Sequence, residues 1–284
     1  MFAQIKQRLI DAKAKKIFKQ SRYSQQLQDL RESLFPIWRT TAKREFPGIP
    51  SDAIFFARAT AGLMTFFDCV NRSSVPCALP SRAADSVWHV WAALSPIGLD
   101  AFCREHFGRE IPHVEVAQMQ GKTDEALAAC LVQARKLQGL LEASNTVPDL
   151  FALDRVLKMP NGYAYQTKGA ALGFRDINRQ GEPQGAFTFP DAFKAHELLA
   201  LGLISAVALN AAERRLRDQG SAAYASDTGS TDFPASSSSR HGDDRTSDCS
   251  HGDTSASDCA SGADAGSSGS SCGSSCGSSC GSSS

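Results

Sequence analysis

Four side chains able to ligate a metal ion or move a proton fall within a short stretch of the chain: His89, Cys103, His106 and His113, with Trp88 beside the first. Imidazole and thiolate groups are good ligands for zinc or a similar divalent ion. The spacing is not a standard one, because it lacks a paired Cys-x-x-Cys knuckle. Cys103 and His106, three apart on one helical face, also admit a thiol nucleophile with a histidine base. A plainer reading makes Cys103 and His106 packed core residues, with His89 and His113 hydrogen-bonding to pin two helices and the loop after them.

Two further groups carry chemistry in principle. Lys13, Lys15, Lys16, Lys19 and Arg22 offer a basic face to nucleic acid or an anionic membrane surface, although aromatic residues suited to stacking are sparse there, with Tyr23 nearby. Near the C-terminus Cys272, Cys276 and Cys280 recur in a Cys-Gly-Ser-Ser repeat, and His241 and His251 recur in His-Gly-Asp. Flexible thiols of this kind could bind soft metals or be oxidised, but a low-complexity expansion accounts for them better, because a tail that does not fold cannot fix a coordination geometry.

The elements that must position these residues are helical. Apolar residues recur every three to four positions from Phe2 through Leu9, which predicts an amphipathic helix over residues 2–30. Pro36, Pro47 and Pro50 punctuate a connection, and Ser51 is placed to cap a helix bearing Phe55, Gly62, Leu63, Phe66 and Phe67. Ser81 caps the next, with Val87, Trp88, Trp91 and Leu94 on its stripe, and Ser95-Pro96 opens a short helix that Gly108 ends in the left-handed conformation. Thr123 is expected to cap a helix carrying Leu127, Cys130, Leu131, Ala134, Leu137 and Leu141. A short piece follows from Leu150 to Leu157, then loops with a hairpin using Tyr163, Tyr165, Phe187 and Phe189. A final helix from Asp191 carries Phe193, Leu201, Ile204, Val207 and Leu216 to Gly220. Its most apolar run, Leu198 to Ala212, is shorter than the ~20 residues a bilayer span needs, so no transmembrane segment is expected.

Composition divides the chain. Residues 220–284 hold 23 serines and almost no large apolar residue, and eight Asp against two Arg make them net −6. The chain as a whole is neutral, so residues 1–219 carry the compensating +6, concentrated in the eleven Lys/Arg of residues 1–45. Only the first part has the means to bury a core. The expected fold class is mainly α, a helical bundle over 1–219 followed by a disordered, low-complexity C-terminal tail over 220–284. The first residues contain no apolar run long enough for a secretory signal, so the protein is expected in the cytoplasm, with Cys69, Cys77, Cys103 and Cys130 as thiols.

The stretch Asp85 to Val114, DSVWHVWAALSPIGLDAFCREHFGREIPHV, resembles the motif of the glycine-rich domain-containing protein-like family. Asp85, Trp88, His89, Cys103, Phe107, Gly108, Arg109 and His113 stand at matching places, and Ser86 stands where an acidic residue is usual. The Gly/Ser/Cys-rich tail is similar too. The resemblance implies a helical domain and brings no established reaction. With no phosphate-binding glycine loop or paired-carboxylate motif, the expectation is a non-enzymatic interaction or scaffold protein whose partner is another protein. The alternative is a metal-binding or thiol-dependent enzyme centred on His89, Cys103 and His113, with a zinc-like divalent metal as cofactor.

Overall fold

The computed structural model describes residues 2–225, apart from 22, 114–121 and 169–170. The chain divides into two units, 1–230 and 231–284, and every described residue belongs to the first. Residues 220–225 of the expected tail continue the last helix, and the rest of it, with Cys272, Cys276, Cys280, His241 and His251, lies outside the described residues, as does Arg22.

The described residues form a mainly helical fold in which α3 (Ala53–Arg72) is the central element. It packs against α1 (Phe2–Lys19), α4 (Arg82–Leu94), α6 (Thr123–Leu137) and α7 (Asp149–Leu157). That position follows from its sequence: Phe55, Phe56, Leu63, Met64, Phe66 and Phe67 cover more than one face and are all buried. A helix apolar on several sides has to be surrounded. Its length and apolarity would also suit a membrane crossing, but most of the apolar stretch is buried in the fold. Gly62 lets α7 approach, since a Cβ there would stand 2.4 Å from Leu153 Cδ2.

Several expected boundaries move. The helix expected over 2–30 is two helices, α1 and α2 (Ser24–Glu45). The turn between them brings Tyr23 into the core, with its ring 5.4–5.9 Å from those of Phe102, His106 and Phe107. Pro36 does not end α2 but sits inside it. An interior proline costs about 3 kcal/mol, a cost offset by burying Leu34, Trp38 and Ala42 on either side of it. The connection falls instead at 46–52, where Gly48 takes φ of 86°. The cap of α3 is Asp52 rather than Ser51, its carboxylate accepting from the amides of Ile54 at 2.9 Å and Phe55 at 3.0 Å. Thr123 is the first residue of α6 rather than its cap.

Ser81 caps α4 as expected, accepting from Ala84 N, and Pro96 opens α5 (Pro96–Phe107). After α7 a two-stranded antiparallel hairpin pairs β1 (Tyr163–Lys168) with β2 (Ala171–Asp176), Tyr165 opposite Phe174. Phe187 and Phe189 stack on each other outside the strands, and only Thr188 between them bridges to Phe174. The expected final helix is interrupted: a single turn at Asp191–Phe193 and α8 (Ala195–Ala200) precede α9 (Ala206–Ala225). Gly202, at φ of 68°, turns the chain between them. α9 runs through Gly220, so the glycine does not end it.

Candidate metal centre

Asp85 and His89 are four apart on α4 and therefore share one face of it. Both are partly exposed, because the opposite face, with Ala84, Val87 and Trp91, is spent on the core. His113 reaches them from the segment after α5. Its Nε2 lies 3.0 Å from Asp85 Oδ1, and His89 Nε2 lies 3.4 Å from the same oxygen. One ligand atom from each of the three falls within 4.8 Å of the others. The three side chains are 23–29% exposed, open enough to admit a small ion yet held in place by packing.

The packing is aromatic. The His113 ring sits edge-on to Trp88 with centroids 4.5 Å apart and edge-on to His89 at 4.4 Å, and Phe46 backs His89 at 5.9 Å. The other nitrogen of His89, Nδ1, meets Glu45 Oε1 at the C-terminal end of α2. Glu45 thereby turns Nε2 of His89 toward Asp85. Glu45 and His89 also border a cavity of about 300 Å³, otherwise lined by Ile37, Thr41, Val90, Ala93 and Leu94.

The remaining motif residues build the bend that returns His113. Gly108 ends α5 at φ of 71°, a left-handed conformation that favours glycine. Phe107 packs edge-on against Phe67 of α3 at 5.8 Å. The Arg109 guanidinium donates to the carbonyl oxygen of Val70 on α3, and Arg104 Nε donates to Glu110 Oε1 at 3.0 Å across the bend. Cys103 is fully buried.

Two expected ligands are thus not part of the cluster. Burial pushes the Cys103 thiol up to about 11, the opposite of an activated nucleophile. His106 packs against Phe102 and Tyr23, and its nearest carboxylate, Glu105, is 3.9 Å from Nε2. Cys103 and His106 both face inward on α5 because its helical period puts them on the stripe of Leu99 and Phe107. Asp85 and Glu45, conversely, belong to the constellation. The i, i+4 spacing of Asp85 and His89 was a readable signal, whereas nothing in the sequence pairs Glu45 with a residue 44 positions on.

The donor set suits a transition metal. Two imidazole nitrogens and one carboxylate oxygen form a recurrent set for zinc or another divalent first-row ion, with coordination positions left open. A tetrahedral ion bonded at about 2.0–2.1 Å needs ligand atoms roughly 3.3 Å apart, and the two distances to Asp85 Oδ1 already bracket that spacing.

The model of one protein family, described as UCP032817-like, matches residues 39–182, just over half of the chain and all of the centre just described. Neither a curated protein nor a solved structure matches.

Proposed function

We propose that the protein, which belongs to the UCP032817-like family, binds one divalent transition-metal ion through Asp85, His89 and His113. The observation that carries this reading is the orientation of His89: Glu45 engages Nδ1, which leaves Nε2 for the position where Asp85 and His113 converge. A carboxylate behind a ligating histidine fixes its tautomer and raises its basicity, the usual arrangement around bound metals. An ion held by three protein ligands supplies Lewis acidity and a more acidic bound water at its open position.

A second reading is favoured by the 3.0 Å contact between His113 Nε2 and Asp85 Oδ1, which is a good hydrogen bond without any ion. In it the three side chains are a clasp holding the segment after α5 to α4, within a non-enzymatic interaction domain. The two readings part on metal content. Protein purified without chelator is analysed by elemental mass spectrometry beside His89→Ala and His113→Ala. Near-stoichiometric zinc, iron or a neighbouring ion, lost in both variants, supports the metal centre. A metal-free parent that also fails to take up added zinc leaves the clasp.

A further inference from the structure

Independently of the metal centre, α1 presents a second surface with chemistry. At 3.6 residues per turn, Ile5 and Leu9 fall on the side opposite Ala14 and Phe18, the residues that α1 buries. Ile5 is 50% exposed and Leu9 59%, so α1 carries two large apolar side chains in solvent on its outer face. Arg8, Lys15 and Lys19 flank them on one side and Lys6 and Lys13 on the other, with Lys16 between, and all six are exposed. The one acidic residue of the helix, Asp11, lies 3.4 Å from Arg31 of α2 and is thereby neutralised.

We infer that the outer face of α1 docks on an anionic lipid surface, with Ile5 and Leu9 entering the interface and the surrounding lysines and Arg8 meeting the headgroups. A helix lying in the plane of a membrane has this pattern: apolar side chains along one line, cations on both flanks. Each cation near an anionic leaflet adds to the attraction. Charge selects the occupant. A second copy of the same helix would oppose like charges. The acidic residues 227–264 of this chain match in charge but have almost no large apolar side chains to cover Ile5 and Leu9. Nucleic acid would use the cations and leave the apolar pair in water, and five of the six are lysines, without the planar guanidinium that stacks on bases.

The test is co-sedimentation of the full chain with phosphatidylcholine vesicles, with and without phosphatidylserine, beside the Ile5→Ser/Leu9→Ser and Lys13→Glu/Lys16→Glu double variants. Both pairs are exposed, and an unchanged thermal midpoint verifies that each variant is folded. The expected result is binding to the phosphatidylserine vesicles alone, weakened by salt, and reduced about ten-fold or more in either variant. Failure to bind those vesicles overturns the inference. So does an Ile5→Ser/Leu9→Ser protein that sediments like the parent. A third overturning result is a single-stranded oligonucleotide bound through Lys13 and Lys16 while the vesicles are ignored.

Discussion

Asp154 of α7 accepts the Ser81 hydroxyl at 2.6 Å, closing the start of α4 from 73 positions away. The same carboxylate accepts the amides of Arg82 at 3.0 Å, Ala83 at 2.9 Å and Tyr163 at 3.1 Å, so it ties α4, α7 and β1 together. An anion at a helix N-terminus is favoured by the helix dipole. Gly162 makes room for it, since a Cβ there would stand 2.6 Å from Asp154 Oδ2. Asp154→Ala strands three amides and a hydroxyl, at about 1–3 kcal/mol for each that stays buried and unpaired. A loss of roughly 3–5 kcal/mol is expected in urea unfolding, against about 1–2 kcal/mol for Ser81→Ala. Equal losses would mean that Asp154 serves only as the partner of Ser81.

Ser86 is a second buried polar residue on α4, and Trp38 Nε1 donates to its hydroxyl at 3.2 Å. Ser86→Ala leaves the indole N–H unpaired and should cost about 1–2 kcal/mol. Ser86→Asp places a buried carboxylate against the Trp38 indole. It should be worse than the alanine variant by several kcal/mol. Thermal denaturation of the two variants side by side checks the ranking.

The buried thiol of Cys103 makes stability depend on alkaline pH. Its native pKa, about 11, exceeds the ordinary 9.0 because burial disfavours the thiolate. The native state therefore holds this proton more tightly than the unfolded chain. The associated stability is complete below pH 9 and is lost as pH rises toward 11, by up to roughly 2–3 kcal/mol. Urea midpoints measured across that interval should fall more steeply for the parent than for Cys103→Ala. Parallel slopes would show that Cys103 titrates as it does in the unfolded chain.

Glu45 lies behind the proposed metal ligand His89 and is not itself a ligand. Glu45→Gln should weaken zinc binding about 10–100-fold while leaving one ion per chain. Asp85→Asn and His113→Gln should abolish stoichiometric binding instead. Calorimetric titration separates a changed affinity from a changed stoichiometry.

The helical class of the chain was legible, and so were the Ser81 cap, the left-handed Gly108 and the buried stripe of α3. Each depends on contacts within one or two turns, which residue order fixes directly. Helix ends were read less well. Pro36 and Gly220 are local stop signals that were overridden, whereas Gly202 and the turn at Tyr23 divide stretches that periodicity alone made continuous. At Tyr23 the balance was tipped by burial against α5, which no local window contains.

The site divides along the same line. From residue order alone, His89 and Asp85 share a helical face, and Cys103 and His106 fall on an apolar stripe. Only the tertiary structure decided that His113 returns to that face, that Cys103 lies buried apart from the cluster, and that Glu45 stands behind His89. Helical periodicity is a property of neighbours in the chain, whereas the convergence of α2, α4 and the segment after α5 follows from how their apolar faces pack, a long-range outcome that spacing does not encode.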